Sequence, residues 1–113
     1  RDLGFTVFQN MLQAHGDIDA LFACSDLMAL GAVEAIAAAG RSGSILVVGF
    51  DALDDARKMI EAGRMNASVA QSPRDMGRIA VESAARLLRG DAVPVEQKVP
   101  IALVTKSGTT GSH

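Results

Sequence analysis

Apolar residues along the chain follow two spacings, one typical of helices and one typical of strands. Four segments place apolar side chains every three or four residues, which predicts four helices, and a glycine that can end a helix follows each of them. Short runs rich in apolar and β-branched residues lie between them. The predicted order is α-β-α-β-α-β-α-β, with helices over 1–15, 27–39, 54–62 and 73–89 and strands over 17–24, 45–50, 66–70 and 99–105.

The second predicted strand, residues 45–50, is apolar at every position and ends at Asp51. Such a run is typical of a strand that is buried on both faces of a parallel sheet. Strands that alternate with helices favour right-handed crossovers. We therefore predict an α/β fold with a flavodoxin-like parallel sheet and helices on both faces. Pro100 favours an edge or strand-start position for the last strand, and the opening helix suggests that the strand before it is missing.

Composition narrows the class of protein. The chain has 113 residues, of which 49% are hydrophobic, so one domain with a packed core is expected. We assign residues 1–107 to that domain and interpret residues 108–113 as a linker or tag remnant. The net charge is −2 without a basic cluster, which argues against nucleic-acid binding. The single cysteine, Cys24, is expected as a small buried core residue.

Small polar residues follow three of the predicted strands: Ser25 and Asp26, then Asp51, then Gln71. The carboxyl ends of parallel strands meet at one edge, where α/β proteins bind ligands. A carboxylate accepts two hydroxyl hydrogen bonds, an amide donates and accepts, and a serine hydroxyl does either. This set suits a neutral ligand with many hydroxyls better than an anion, because no Arg, Lys or glycine-rich phosphate loop lies at these ends.

Each of these residues also has a structural interpretation. Ser25 and Asp26 could serve only as the N-cap of the next helix, and Asp51 could cap its own helix. Gln71, directly before a helix start, could be solvated without a role.

Catalysis is not favoured by the chemistry that the sequence offers. His15 lies at a helix end, His113 lies in the tail, and Cys24 has no histidine partner in the pattern. Asp26 and Asp51 could form a carboxylate pair, as in a receiver-like or other free-standing flavodoxin-like signalling domain. Such a domain needs more acidic residues at the first strand end and a lysine at a later one. We predict no catalytic residue, no metal and no cofactor.

Three segments in order, residues 17–32, 48–51 and 66–73, resemble the C-terminal half of type I periplasmic sugar-binding proteins. The branch they resemble most is the ribose-binding type of ABC-transporter receptor. The effector domain of lac-repressor-type transcription regulators is similar and is kept as the alternative. Effector domains of the lac-repressor type usually carry a Pro-Leu-Thr-Thr signature after Gly-Phe-Asp. This chain has Ala-Ser-Val-Ala-Gln at 67–71, which favours the transporter receptor.

The resemblance implies a binding protein, not an enzyme, whose two lobes close on a monosaccharide. It places the ligand contacts at Ser25, Asp51 and Gln71, with Asp26 and Phe50 as secondary candidates. Ser25 stands where the ribose-binding branch has asparagine. The resemblance also implies a periplasmic location and a membrane permease as partner. The first lobe, together with the opening strand and helix of this one, would lie upstream, and the helix over 73–89 would pack against the first lobe.

An isolated lobe of this kind is expected to form a homodimer. The first strand would be an unprotected apolar edge, because its neighbour would be the missing strand. The fourth helix would expose an apolar stripe that normally presses on the first lobe. This stripe consists of Met76, Ile79, Ala80, Ser83, Leu87 and Leu88.

Overall fold

The computed structural model describes residues 1–111 as an alternation of helices and strands. The elements are α1 (Asp2–Ala14), β1 (Ala20–Phe22), α2 (Asp26–Ala38), β2 (Leu46–Phe50), α3 (Asp54–Glu61), β3 (Ala67–Ala70), α4 (Pro73–Leu88), β4 (Ala102–Thr105) and β5 (Gly108–Gly111). All eight predicted elements are present, and the bounds of β1 and β4 differ most from the prediction. Ser112 and His113 lie outside the described residues.

The five strands form one sheet in the order β1-β2-β3-β4-β5. β1, β2 and β3 are parallel to one another, which confirms the α/β class. β4 was predicted as a further parallel strand, but it runs antiparallel to β3. The reason lies in α4, which leaves the sheet at the carboxyl end of β3. The chain returns through residues 89–101 and enters β4 from that same end.

β5 was not predicted, because residues 108–111 were interpreted as part of a linker or tag remnant. They pair antiparallel with β4 through a two-residue turn at 106–107. The Thr105 hydroxyl donates to the carbonyl of Gly108 at 3.1 Å and supports this turn. The available signal was the sequence Lys-Ser-Gly between threonines, which is typical of a tight hairpin.

The core lies between one face of the sheet and α1, α2 and α3. Residues of this face such as Val47 and Val104 belong to a buried cluster with Phe8 of α1, Val33 of α2 and Ile60 of α3. The opposite face is open in the described chain. On that face Phe22 and Leu46 are each 57% exposed, so β2 is covered on one side only.

Cys24 is exposed, and the prediction that it is a buried core residue is wrong. β1 ends at Phe22, and side chains alternate between the two faces of a strand. Ala23 is therefore buried in the core, while the next residue, Cys24, is exposed just beyond the end of the edge strand β1.

α4 projects from the rest of the molecule. None of its residues is buried, and Leu87 and Leu88 of the predicted stripe are 61% and 90% exposed. The radius of gyration is 17.8 Å, whereas a compact chain of this length has about 13 Å. Within residues 1–111 no helix has the length and apolar character needed to cross a bilayer.

Candidate functional site

The predicted rim forms at the carboxyl ends of the three parallel strands. β1 ends at Phe22, β2 at Phe50 and β3 at Ala70. Ser25, Asp51 and Gln71 follow these ends, so the topology places all three residues at one edge of the sheet.

Asp51 and Gln71 contact each other directly across this rim. The Gln71 side-chain amide donates to Asp51 Oδ1 at 3.1 Å. Asp51 is exposed and Gln71 is half-buried, so the pair presents a carboxylate and an amide to the outside. Asp51 Oδ2 receives no hydrogen bond from residues 1–111 and can accept from a ligand hydroxyl.

Ser25 is the N-cap of α2, as one of its two interpretations predicted. Its Oγ accepts from the Met28 backbone N–H at 3.4 Å, and its backbone is extended with φ −153° and ψ 154°. The cap uses the hydroxyl only as an acceptor. The hydroxyl hydrogen of this half-buried residue can still be donated, so a ligand contact is compatible with the cap.

Asp26 points into the protein rather than toward the rim. It is fully buried, at 0% exposure, and its Oδ1 accepts from the Ser68 hydroxyl at 2.7 Å. Its Oδ2 accepts from the Leu53 backbone N–H at 2.6 Å. Asp26 therefore has no surface with which to contact a ligand. Phe50, the other secondary candidate, is half-buried on the open face of the sheet.

Two residues that contact the Asp51 turn were missed by the sequence analysis. Ser68 in β3 is fully buried, and its Oγ accepts from the Ala52 backbone N–H at 3.0 Å. Arg57 in α3 donates from Nε to the Ala52 carbonyl at 2.9 Å. A serine inside an apolar strand was the available signal, because a buried hydroxyl needs a hydrogen-bond partner.

Neither α3 nor α4 has a side-chain hydrogen bond at its N-cap position. Asp51 does not cap α3, whose N-cap position is Leu53 without a side-chain hydrogen bond. Ser72 stands at the N-cap of α4 with Pro73 in the first turn. However, its hydroxyl donates to Asp75 Oδ2 at 2.6 Å instead of accepting from the backbone.

The rim continues toward α4 through an open cavity of about 240 Å³. Gln71 and Ser72 line it from the end of β3, and Met76 lines it from α4. Within residues 1–111 no three His, Cys, Asp or Glu side chains are grouped so that they could hold a metal ion.

A family model and individual relatives of known name both match this chain, and they agree on one protein family. Residues 1–92 match the family model described as periplasmic binding protein domain. The chain is 43% identical over 103 residues to the ribose import binding protein of Escherichia coli. The aligned segment covers 91% of this chain and 34% of that protein. It is 40% identical to the D-allose-binding periplasmic protein of the same species, and that alignment covers 88% of this chain and 34% of that protein.

A solved structure agrees with this result. The ABC-transporter periplasmic solute binding protein of Actinobacillus succinogenes with bound D-allose superposes with a TM-score of 0.83 at 32% identity. The match covers 94% of this chain and 38% of that one. The chain thus spans about a third of the length of the curated relatives that it matches.

Proposed function

The chain belongs to the periplasmic binding protein family, and from that premise we propose that it is the C-terminal lobe of the solute-binding receptor of a sugar ABC transporter. The receptor binds a monosaccharide, ribose or a related sugar, in the cleft between this lobe and a first lobe. The observation that carries the proposal is the Asp51–Gln71 pair, which lies with Ser25 at the open end of the parallel strands.

The chemistry of the pair suits sugar hydroxyls. Asp51 accepts hydrogen bonds from two hydroxyls, and Gln71 keeps the carboxylate oriented while offering its own carbonyl oxygen as an acceptor. A hydrogen bond to a charged group contributes about 1.5–3 kcal/mol. The names of the relatives support this ligand class, because they refer to binding of ribose and D-allose.

The relatives are named as binding proteins of import systems, which supports a binding role without catalysis for this chain. By the same reasoning the receptor acts outside the cytoplasm and delivers its sugar to a membrane permease. None of the relatives named above is a transcription regulator, so we do not carry that alternative further.

The surface of α4 supports the two-lobe arrangement. Its apolar stripe is exposed, with Met76 at 45% and Leu87 at 61%, and the helix leaves the rim directly after Gln71. A helix that starts at the cleft and exposes apolar side chains is well placed to pack on the first lobe. We therefore assign residues 1–107 to the second lobe, with α4 contributing to the contact between lobes.

The isolated chain has two surfaces that favour a homodimer. In the sheet formed by residues 1–111, β1 is an edge strand that pairs with β2, and Phe22 beside this edge is 57% exposed. The stripe on α4 is the second surface. A symmetric dimer that buries one or both surfaces removes them from water.

A two-lobe chimera tests the proposed function. In it this chain replaces the matching third of the Escherichia coli ribose import binding protein. A thermal-shift screen against monosaccharides, followed by calorimetry with D-ribose and D-allose, should detect binding of at least one sugar. A folded chimera that binds none of the sugars contradicts the proposal. The proposal is also contradicted if the Asp51→Ala variant of the chimera binds sugar as tightly as the unaltered chimera. Asp54→Ala is the matched control and should leave the affinity unchanged.

A further inference from the structure

The turn that carries Asp51 has a backbone conformation that residues other than glycine rarely adopt. φ is 108° at Asp51 and 54° at Ala52, in the region where the Cβ of an L-residue crowds its own backbone. Such residues persist only when the surrounding structure holds them in place. They also cluster at ligand sites more often than elsewhere.

Every backbone N–H of this turn is bound to the body of the lobe. The Asp51 N–H donates to the Val69 carbonyl at 2.8 Å. The next two donate to side chains, Ala52 to Ser68 Oγ at 3.0 Å and Leu53 to Asp26 Oδ2 at 2.6 Å. The two acceptors are themselves joined, because the Ser68 hydroxyl donates to Asp26 Oδ1 at 2.7 Å.

The interior is shaped to accommodate the Asp26 carboxylate. A Cβ on Gly49 would lie 2.3 Å from Asp26 Oδ1, so the carboxylate occupies the space that any other residue would fill. A buried carboxylate is expensive to desolvate, and an apolar residue would often serve packing better. Its two hydrogen bonds offset that cost, and both connect it to the turn or to Ser68, which also holds the turn.

We infer that Asp26 and Ser68 are positioning residues for sugar binding. They hold Asp51 and Ala52 at their positive φ values and so fix the direction in which the Asp51 carboxylate meets Gln71 and the ligand. The inference rests on the proposed function. A carboxylate that is oriented before the ligand arrives loses less freedom on binding than a mobile one, which increases affinity.

Asp26→Asn tests the positioning directly in the 113-residue chain. If the new amide oxygen accepts from Leu53, the amide nitrogen faces Ser68 and the serine hydroxyl loses its acceptor. In the other orientation two donors, the amide nitrogen and the Leu53 N–H, face each other. In either orientation a buried donor is left without an acceptor and the charge of the carboxylate is lost, so amide hydrogen exchange at Ala52 or Leu53 should accelerate about tenfold.

The second readout is the side-chain amide of Gln71, whose NMR resonance should shift when Asp51 moves. Asp54→Asn is the matched control, because it makes the same chemical change in an exposed residue of the neighbouring helix turn. Ser68→Ala should reproduce both effects if Asp26→Asn does not fold. Unchanged exchange at Ala52 and Leu53, together with an unchanged Gln71 resonance, overturns the inference.

Binding by the two-lobe chimera then separates positioning from general stability. Asp26→Asn should weaken the affinity for D-ribose or D-allose about tenfold. Adding Ala52→Gly should restore part of that loss, because glycine adopts a positive φ without support. If Asp26 has a purely structural role, Ala52→Gly should not restore the affinity. An Asp26→Asn chimera that gains no affinity from Ala52→Gly therefore overturns the inference. If the unaltered chimera binds no sugar, the proposed function fails, whereas exchange and NMR on the 113-residue chain still decide the positioning role.

Discussion

Replacing Gly49 by alanine is a sharp test of the packing beneath the rim. The added Cβ would lie 2.3 Å from Asp26 Oδ1, 2.5 Å from Met65 Cε and 3.2 Å from Ala29 Cβ. The methyl end of Met65 is flexible, but the residue is only 2% exposed, so its displacement disturbs other core residues. The carboxylate is held by two hydrogen bonds and moves only by losing or lengthening one of them.

The expected loss of stability combines these effects. Overpacking a core by one methyl group costs about 1–3 kcal/mol, and a weakened buried hydrogen bond costs about 1–3 kcal/mol more. The lower chain entropy of alanine in the unfolded state offsets about 1 kcal/mol of this. We expect Gly49→Ala to lower the free energy of unfolding by about 1–5 kcal/mol, a large share of the total that single domains usually have.

Urea unfolding of the 113-residue chain, followed by circular dichroism, measures this difference. Gly77→Ala in α4 is the matched control, because its Cβ would meet no atom within 4 Å. That control should leave stability unchanged or raise it by up to about 1 kcal/mol. A Gly49→Ala variant within about 0.5 kcal/mol of the unaltered chain would show that the Asp26 carboxylate is not fixed above Gly49.

Four further predictions concern ligand binding and assembly. In the chimera, Asp51→Ala should weaken sugar binding by about 2 kcal/mol or more and Gln71→Ala by less; calorimetry that finds Asp51→Ala unchanged rejects the site. Ser25→Asn should shift the ratio of the two Kd values toward D-ribose over D-allose, and a constant ratio contradicts this. The isolated chain should bind either sugar weakly or not at all, because half a cleft leaves hydroxyls in water; micromolar affinity in the same titration is the opposing result. Light scattering at high micromolar concentration should give a dimer mass, which Leu87→Glu should reduce if the stripe on α4 is the contact; a monomer mass for the unaltered chain rejects the dimer.

Local patterns in the sequence were sufficient to predict the four helices and the positions of four of the five strands within residues 1–111. The predicted first strand, 17–24, is nonetheless longer than β1, which is Ala20–Phe22. At its start, the carbonyls of Gly16 and Ile18 accept from the Arg41 guanidinium at 3.1 and 2.9 Å rather than from a neighbouring strand. These carbonyls are satisfied by a side chain more than 20 residues away, and no local pattern shows such a contact.

The candidate site was predictable only in part for the same reason. The positions of Ser25, Asp51 and Gln71 followed from the rule that ligands bind at the carboxyl ends of parallel strands. The inward direction of Asp26 did not follow from it, because a polar residue at a strand–helix junction can cap, bind or turn inward. That choice depends on Ser68, which is 42 residues away, and on the space left above Gly49.

The apolar residues that the structure leaves exposed indicate where the chain fits a partner. The sequence of β2 is apolar at every position, as expected for a strand covered on both faces, yet Leu46 is 57% exposed. The stripe on α4 shows the same mismatch, with Leu88 at 90%. A single soluble domain rarely exposes such contiguous apolar surface without a partner. The two surfaces lie on different elements, so each one independently fits cover by a partner, which the proposed first lobe would supply in the receptor.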